Sequence, residues 1–423
     1  MNRKVYSQGG QGELYIPSSK SDAHRILIAA ALAKSSTKVV IRGMSKDISA
    51  TMNCLRALGS EIEPCGEAVW KVEPIRDSGQ DIPKLICGES GSTLRFLLPV
   101  AAAVTDQFEM DGEGRLPERP ITELSEQMMR QGCIFSAPQL PFQVTGKLKG
   151  GTYQLPGNIS SQYITGLLFA LPLLPEDSRI VLSTELESRA YVGMTIATLK
   201  RFGIQIETFE SEYRIPGRQK YISPGTIEAE GDWSNAAFFL ALGAVKGPVT
   251  CKGLRNDSGQ ADYAILDILR QFGAEVSVDE DITVSGGSLK GIEIDAAEFP
   301  DLVPVLSVVA AAAGGTTRIF HAERLRIKES DRLAAMCDCL TRAGVQVQEQ
   351  PDGLIIRGKD PGSGSASTIR VSGYNDHRIV MAMAVAAIAL NKEIIIEESE
   401  AVEKSYPAFF EAWEQTGGKS HVI

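Results

Sequence analysis

An internal repeat constrains the fold of this chain more than any other feature of its sequence. Six segments share one pattern, in which a few small polar residues are followed by an Ala-, Leu- and Val-rich stretch of helical length. The segments begin at Ser18, Glu89, Asn158, Gly231, Pro300 and Tyr374. Successive starts lie about 70 residues apart, which is longer than a solenoid repeat and leaves room for a βαβ unit with additional strands.

Each repeat continues in a similar way. A second helical stretch ends at a glycine, and a strand of alternating polarity follows it, as in residues 265–278. The first helical stretches, such as residues 26–33 and 379–390, are apolar nearly all round. We therefore expect these helices to lie in the interior, covered by sheet on more than one side.

Six such units, grouped three and three, would give two similar α/β domains with a cleft between them. The chain is expected to cross from one domain to the other near residues 17–20 and 228–232, because a turn-rich segment, Ser223-Pro224-Gly225, precedes the fourth unit. The residues alone leave this grouping open.

Charge is most concentrated in residues 325–332, Leu-Arg-Ile-Lys-Glu-Ser-Asp-Arg. Five of these eight residues are ionised at neutral pH. If a helix begins at residues 329–333, then Lys328, Glu329 and Arg332 share one turn at its positive end, which favours anions. Two cations beside one carboxylate can hold an anionic substrate and move a proton next to it. The alternative is the ordinary ion-paired start of a surface helix.

Further cations stand mostly at the other helix starts. Ser18-Ser19-Lys20-Ser21 offers hydroxyls, N–H groups and a lysine, as phosphate sites do, although Ser and Lys are common at helix starts. Arg119 precedes a proline, which predicts a loop. Small multiply charged ligands fit such positive islands in a chain of net charge −10. The cations are Lys20, Arg25, Arg95, Arg119, Lys328, Arg332, Arg378 and Lys404.

Two of the remaining candidates have a plain structural alternative. Asp301 stands where the fifth apolar helix begins, and an N-cap is the simplest role for an aspartate there. His377 opens the sixth helix, and we favour a buried, hydrogen-bonded imidazole over a ligand role.

Composition argues against several classes of protein. The net charge of −10 is unlike that of a general nucleic-acid or anionic-membrane binder. The seven cysteines form no paired CxxC set, and we predict reduced, mostly buried thiols rather than disulfides or a zinc site. With four histidines and no HExxH motif, no metal site is expected. The Gly/Ser loop at residues 88–95 matches neither a Walker A loop nor GxGxxG, so nucleotide binding is not indicated.

The N-terminal residues contain no apolar signal core, and the longest apolar run, residues 379–390, is too short to span a bilayer. The sequence therefore predicts a soluble cytoplasmic protein.

Four motifs together are similar to those of the 5-enolpyruvylshikimate-3-phosphate synthase family, the 3-phosphoshikimate 1-carboxyvinyltransferases. They are residues 325–332, Asp376-His377-Arg378 with Met381-Ala382, Arg119-Pro120-Ile121, and residues 18–25. Their order and spacing extend the resemblance over the whole chain. It implies an α/β fold of two similar domains, each of three βαβαββ units with buried helices, joined by two crossover strands, with the active site in the interdomain cleft. We expect one domain at residues 1–18 plus 230–423, closed by the N-terminal strand, and the other at 19–229.

The resemblance also implies a reaction. The enolpyruvyl group of phosphoenolpyruvate would move to the 5-hydroxyl of shikimate 3-phosphate, through a tetrahedral intermediate that eliminates phosphate. This addition–elimination needs an acid, a base and charge stabilisation, but no metal and no redox cofactor. The partners would be the two small-molecule substrates, with no nucleic acid and no membrane, and the protein would act as a monomer.

Residue roles follow from the same resemblance. Asp301 and Glu329 are the expected acid/base pair, with Lys20 assisting. The expected phosphoenolpyruvate-binding residues are Lys20, Gly91, Arg119, Gln162, Arg332, Arg378 and Lys404. The expected shikimate 3-phosphate-binding residues are Ser21, Arg25, Ser160, Ser161, Gln162, Ser188, Tyr191, Asp301 and Lys328.

The chain departs from the family pattern in the loop at residues 89–92, at Phe96 and at Arg324. The family often has Asn-Ala-Gly-Thr where this chain has Glu89-Ser90-Gly91-Ser92, and a proline is common where Phe96 stands. That loop borders the phosphoenolpyruvate site, where glyphosate binds in the family, so the resemblance does not predict glyphosate sensitivity. Arg324 stands where a substrate-contacting asparagine is frequent, and we carry no role over to it.

Two alternatives remain. UDP-N-acetylglucosamine enolpyruvyl transferases carry a reactive cysteine shortly before an Arg-Pro pair, and residues 113–120 contain none. Their N-terminal Lys-Asn pair is replaced by Lys20-Ser21. A non-catalytic anion-binding protein is the other alternative, but such a protein would gain nothing from Asp301 and Glu329 beside the cations.

Overall fold

The computed structural model describes residues 1–76, 82–358 and 368–423. They form two compact units. We call Lys20–Ala229 the middle unit, and Met1–Ser19 with Glu230–Ile423 the terminal unit. Among the described residues, no helix has the length and apolar character needed to cross a membrane.

The middle unit contains helices α1 to α6. Helices α1, α3 and α5 are the apolar first helices of its three repeats, and α2, α4 and α6 are the second helices. Their bounds are α1 Lys20–Leu32, α2 Lys46–Ala57, α3 Gly91–Val104, α4 Thr122–Arg130, α5 Ser161–Ala170 and α6 Arg189–Arg201, with short 3-10 helices at Leu116–Glu118 and Leu171–Leu173.

Three four-stranded sheets are described in the middle unit. In each sheet the first two strands are parallel, and the other pairs are antiparallel. In spatial order the strands are Thr226–Glu228, Thr37–Val40, Val69–Val72 and Ile62–Gly66; Lys84–Ile86, Gln107–Asp111, Phe142–Thr145 and Ile134–Phe135; and Thr152–Leu155, Ser178–Leu182, Glu212–Ile215 and Glu207–Thr208.

The terminal unit repeats this plan with helices α7 to α12. The first helices of its repeats are α7, α9 and α11. The bounds are α7 Trp233–Lys246, α8 Ile265–Phe272, α9 Val303–Ala312, α10 Arg332–Arg342, α11 His377–Ala389 and α12 Phe409–Gln415, with 3-10 helices at Ala261–Ala264, Pro300–Leu302, Glu323–Ile327 and Ser399–Lys404.

Three four-stranded sheets are also described in the terminal unit, with the same parallel and antiparallel pairings. Two of the strands come from the start of the chain, Arg3–Val5 and Gly12–Tyr15. In spatial order the strands are Gly12–Tyr15, Val249–Lys252, Ile282–Ser285 and Glu275–Val278; Glu293–Asp295, Thr316–Phe320, Gly353–Arg357 and Gln346–Gln350; and Thr368–Val371, Glu393–Ile396, Arg3–Val5 and Ser420–Val422.

The first helices form the core of each unit. Every residue of α11 from His377 to Ile388 is buried, and α11 packs against α7 and α9. In the middle unit α3 packs closely against α5, where a Cβ on Gly166 would lie 2.2 Å from the carbonyl oxygen of Arg95. The prediction of interior helices within βαβαββ repeats is therefore confirmed.

The cysteines are arranged as the sequence predicted, as free and mostly buried thiols. All seven are free; five are buried, Cys337 is half-buried and Cys65 is exposed.

Candidate active site

The charged segment of residues 325–332 adopts a different local structure from the one expected. Residues Glu323–Ile327 form a 3-10 helix, and α10 begins only at Arg332. Asp331 caps α10, since its side chain accepts a hydrogen bond from the Ala334 N–H at 3.1 Å. Lys328 and Glu329 therefore precede the helix, and the prediction that they share its first turn with Arg332 is wrong.

Arg332 is nevertheless the centre of the site, and it is only 1% exposed. Its Nε and Nη2 donate to the two carboxylate oxygens of Asp376, at 2.8 and 3.2 Å. Its Nη1 donates to Asp301 Oδ1 at 2.8 Å, and its Nη2 also donates to Glu329 Oε2 at 2.7 Å. A guanidinium buried among three carboxylates is not the ion pair of a surface helix, so that alternative is wrong.

Burial alone would lower the pKa of Arg332, but the three carboxylates outweigh burial and raise this pKa. Arg332 therefore keeps its positive charge at any pH at which the protein functions. We call Asp301, Glu329, Arg332, Asp376 and Arg378 the Arg332 cluster.

Asp301 lies in the 3-10 helix Pro300–Leu302, which leads into α9. It does not cap α9, because Leu302 holds the cap position, so the N-cap alternative is wrong. Its side chain instead accepts from Arg378 Nη2 at 3.0 Å, and Arg378 Nη1 donates to its backbone carbonyl at 3.1 Å. Lys328 Nζ lies 3.9 Å from Asp301 Oδ1.

These cations decide the protonation state of Asp301. Burial raises its pKa, but Arg378, Lys328 and Arg332 together outweigh burial and hold the pKa below its ordinary value. Asp301 is thus an ionised carboxylate. Burial lowers the pKa of Lys328 to about 8, partly opposed by Asp301.

Asp376 orients the cluster and is the main residue here to which sequence reasoning gave no role. It caps α11, with Oδ1 accepting from the Arg378 N–H at 3.0 Å, and Oδ2 accepts from Ser330 Oγ at 3.0 Å. An aspartate directly before an apolar helix is the signal that would have identified it as a cap. His377 is buried as predicted.

Lys404 lies at the end of the 3-10 helix Ser399–Lys404 and is 7% exposed. Its Nζ donates to the carbonyl oxygen of Asn375, which precedes the cap of α11, at 2.6 Å. The terminal unit thus gathers five of the expected residues near the starts of α9, α10 and α11, with Lys404 beside α11. The five are Asp301, Lys328, Glu329, Arg332 and Arg378.

The middle unit holds the other expected residues, also at helix starts. Lys20 is the first residue of α1, and its Nζ donates to Asp47 Oδ2 at 2.9 Å. Asp47 lies in the first turn of α2, which Ser45 caps. Sequence reasoning missed Asp47, because only the fold brings the starts of α1 and α2 together.

Gly91 is the first residue of α3, and Ser90 caps this helix. A Cβ at Gly91 would lie 2.7 Å from both terminal guanidinium nitrogens of Arg119 and 2.7 Å from Nη1 of Arg95. Only glycine lets two guanidinium groups approach this helix start so closely. The carbonyl of Pro120, next to Arg119, accepts from Arg95 Nη2 at 2.9 Å and from the Tyr163 hydroxyl at 2.6 Å.

Gln162 is held on both sides of its amide. Its Oε1 accepts from Arg95 Nη1 at 2.9 Å, and its Nε2 donates to Ser92 Oγ at 3.0 Å. Ser160 caps α5, accepting from the Gln162 N–H at 3.3 Å, and Ser161 is the first residue of that helix. The structure therefore brings Gly91, Arg119 and Gln162 together through Arg95, which the sequence marked only as one cation among several.

Arg25 is 2% exposed and joins α1 to α6. It donates to the carbonyl oxygens of Ser21 at 2.6 Å and Tyr191 at 2.9 Å, and to Thr195 Oγ1 at 2.9 Å. Burial lowers its pKa to about 10, which still leaves it charged. Ser188, at the cap position of α6, has a left-handed backbone with φ of 53°. Ser21, Arg25, Ser188 and Tyr191 therefore lie around the starts of α1 and α6.

Comparisons with known proteins identify the family of this chain. The family model described as EPSP synthase (3-phosphoshikimate 1-carboxyvinyltransferase) matches residues 7–413. The 3-phosphoshikimate 1-carboxyvinyltransferase of Clostridium novyi (strain NT) is 42% identical over 430 residues, covering 99% of this chain and 98% of that protein. The enzyme of that name from Clostridium acetobutylicum is 42% identical over 418 residues, covering 97% of this chain and 96% of that protein.

A solved structure supports the same assignment. The EPSP synthase of Acinetobacter baumannii superposes with a TM-score of 0.83 at 26% identity, over 100% of both chains. With the family model matched along nearly the whole chain, the protein belongs to the EPSP synthase (3-phosphoshikimate 1-carboxyvinyltransferase) family.

Proposed function

We propose that the protein transfers the enolpyruvyl group of phosphoenolpyruvate to the 5-hydroxyl of shikimate 3-phosphate, releasing phosphate, in the shikimate pathway to chorismate and the aromatic amino acids. Family membership supports the reaction. The structural observation that carries the proposal is Arg332, buried and hydrogen-bonded to both Asp301 and Glu329. A pair of carboxylates held on a permanent cation suits proton transfer next to an anionic substrate.

Asp301 is the proposed base of the addition step. It is ionised, as a base must be before it takes the proton of the 5-hydroxyl while that oxygen bonds to the central carbon of phosphoenolpyruvate. In the same step the methylene carbon gains a proton, for which we propose the protonated form of Glu329 as the donor, with Lys20 assisting. In the elimination step Glu329, now deprotonated, takes a proton back from the resulting methyl group as the C–O bond to phosphate breaks. The proton that Asp301 took from the hydroxyl then passes to the released phosphate, which balances the reaction.

The remaining expected residues are proposed as binding groups. For phosphoenolpyruvate we propose Lys20, Gly91, Arg119, Gln162, Arg332, Arg378 and Lys404. For shikimate 3-phosphate we propose Ser21, Arg25, Ser160, Ser161, Gln162, Ser188, Tyr191, Asp301 and Lys328. Two observations support the assignment: these residues cluster at helix starts in each unit, and several of the cations are buried, as in sites for compact anions.

The domain boundaries, the oligomeric state and the location in the cell are proposals as well. We propose domains at residues 1–18 plus 230–423 and at 19–229, and a monomer that acts in the cytoplasm. Light scattering on the purified protein tests the monomer, for which a mass near 45.6 kDa is expected.

Phosphate release from phosphoenolpyruvate tests the function. Release should require shikimate 3-phosphate and should fall by roughly 10²-fold or more in Asp301→Ala and in Glu329→Ala. Asp106→Ala is a matched control, because that carboxylate is 79% exposed and pairs only with Lys147 among the contacts described. If only UDP-N-acetylglucosamine supported release, the sister reaction would be correct. Tight binding of both substrates without turnover would instead indicate a binding protein.

A further inference from the structure

Asp262 is a buried carboxyl group to which the proposed mechanism gives no role. It lies in the 3-10 helix Ala261–Ala264, just before α8, and is 1% exposed. Its Oδ2 shares a short hydrogen bond with Ser234 Oγ, in the first turn of α7. Within the described residues, its Oδ1 has no hydrogen-bond partner. An ionised carboxylate so placed would be unfavourable, because burial removes it from water and one hydroxyl supplies its hydrogen bond among the described contacts.

Asp262 belongs to the surroundings of the Arg332 cluster. The 3-10 helix that carries it and the 3-10 helix that carries Asp301 both pack against α7. The charged groups that act on Asp262 are the carboxylates of Asp301 and Asp232 and the guanidinium of Arg378. Asp232 caps α7, accepting from the Asn235 N–H at 2.9 Å.

The two neighbouring carboxyls differ in their partners. Asp301 accepts hydrogen bonds from two guanidinium groups, whereas the described hydrogen bond of Asp262 is to a neutral hydroxyl. Burial, followed by the negative charge of Asp301, raises the pKa of Asp262 to about 7, although Arg378 and Ser234 act in the opposite direction. Two carboxyls whose surroundings drive their pKa values apart commonly take different protonation states.

We infer that Asp262 is a positioning residue that carries a proton while the cations of the Arg332 cluster hold an anionic substrate, and that its ionisation weakens this hold. The inference rests on the proposed phosphoenolpyruvate site. An ionised Asp262 would attract Arg378 away from the ligand and repel the ligand's own negative charge. Protonated, it leaves the full charge of Arg378 to Asp301 and the substrate.

The protonation state can be measured without turnover. Infrared difference spectra of the ligand-free protein, taken from about pH 5.5 to about pH 8.5, report the C=O band of protonated carboxyls. We expect a band that is lost on titration through neutral pH and is absent in Asp262→Asn. Ser234→Ala should move its loss to higher pH, because the hydroxyl that favours the ionised form is removed. Asp267→Asn, an exposed site on α8, is the control and should leave the band unchanged.

Kinetics tests the consequence for binding. In the wild type the KM for phosphoenolpyruvate should rise above neutral pH, by up to about tenfold per pH unit for one ionising group. Asp262→Asn should lack this rise while keeping kcat within about twofold, and Ser234→Ala should shift the rise to higher pH. The KM for shikimate 3-phosphate should also rise as Lys328 loses its proton, since the pKa of Lys328 is near 8, and this rise should persist in both variants.

These outcomes separate the inference from the proposed function. A band that is unchanged in Asp262→Asn, or KM profiles that superimpose for the wild type and both variants, would overturn the inference. A wild type that shows the band but releases no phosphate with either shikimate 3-phosphate or UDP-N-acetylglucosamine would overturn the proposed function. The protonation of Asp262 would still be supported. Should Asp262→Asn fail to fold, the shift in Ser234→Ala decides the matter.

Discussion

At the scale of single residues, one guanidinium group organises the charged cluster of the terminal unit. Arg332 reaches three carboxylates that come from three different segments of the chain, with Asp376 and Asp301 lying 44 and 31 residues away in sequence. The planar fork of arginine can satisfy several carboxylates at once, whereas lysine offers a single ammonium. The geometry of the proposed acid/base pair therefore depends on arginine and not merely on a positive charge.

We predict that Arg332→Lys abolishes most activity and also destabilises the fold. The value of kcat/KM should fall by roughly 10²- to 10³-fold, because charge stabilisation at the reacting centre is lost. The free energy of unfolding should fall by about 3 kcal/mol, because buried carboxylates lose their partner. Steady-state kinetics and urea denaturation measure the two effects.

Arg342→Lys is the matched control for that substitution. Arg342 lies on the same helix, is 58% exposed and pairs with Asp338. The free energy of unfolding should stay within about 0.5 kcal/mol of the wild type, as for most exposed ion pairs, and kcat/KM should stay within about twofold. Equal losses in the two variants would contradict the role assigned to Arg332.

Gly91 gives a second prediction at this scale. In Gly91→Ala the added methyl would meet the ends of the Arg119 and Arg95 side chains, which can move, rather than rigid backbone. We therefore expect little change in stability but an increase of about tenfold in the KM for phosphoenolpyruvate, because displaced guanidinium groups no longer hold the ligand correctly. A thermal melt beside the kinetics separates the two; a large loss of stability with unchanged KM would contradict the prediction.

The cations among the residues expected to bind or react stood out in the sequence, because they lie mostly at helix starts in an acidic chain, and the resemblance to the family supplied the other expected residues. The residues that position them through hydrogen bonds could not be identified from the sequence. Asp47, Asp376 and Asp262 act through contacts with segments that lie 27 to 44 residues away in the chain. Such pairings depend on how the helices pack. A single sequence does not contain that information, and an aspartate before a helix looks like any other cap.

At the scale of elements, the first helices had to carry apolar and small side chains, because each packs closely against its neighbours. The repeat pattern was sufficient to predict this. The exact helix starts were not predictable: a 3-10 helix occupies residues 323–327, and α10 begins at Arg332. Helix propensity is only a weak guide to the residue at which a helix begins. The ion pairs of Lys328 and Glu329 favour the irregular backbone instead.

Gly166→Ala tests the close contact of α3 with α5. The added Cβ would lie 2.2 Å from the backbone oxygen of Arg95 and 2.8 Å from the ring of Pro99, so the two helices must separate. We expect the free energy of unfolding to fall by about 2 kcal/mol. We also expect weaker binding of phosphoenolpyruvate, because Arg95 links Gln162 to the Arg119 loop.

Gly193→Ala is the control, since a Cβ on that residue of α6 meets nothing within 4 Å. It should leave stability unchanged or raise it slightly, by up to about 1 kcal/mol, as expected for alanine in a helix. A destabilisation equal to that of Gly166→Ala would show that any extra methyl in these helices is harmful.

At the scale of the whole molecule, the two units differ in how the chain builds them. The middle unit is one continuous segment, and its hydrophobic core is formed by residues 23–229 alone. The core of the terminal unit includes Val5, Leu14 and Ile16 together with residues after position 230. The strand Arg3–Val5 lies between Glu393–Ile396 and Ser420–Val422, so it is a central strand of its sheet.

This difference predicts which fragments fold. Residues 20–229 expressed alone should show cooperative thermal unfolding and dispersed amide NMR signals, because their sheets and core are complete. Residues 230–423 alone should not, because two sheets would lose a strand and leave backbone groups unpaired.

Adding residues 1–19 after residue 423, through a flexible linker of about four residues, should restore folding. The backbone N–H of Ile423 already donates to the carbonyl of Asn2 at 2.9 Å, so a short linker suffices. Folding of 230–423 without that addition would show that the N-terminal strands are dispensable. It would also contradict the domain boundaries proposed above.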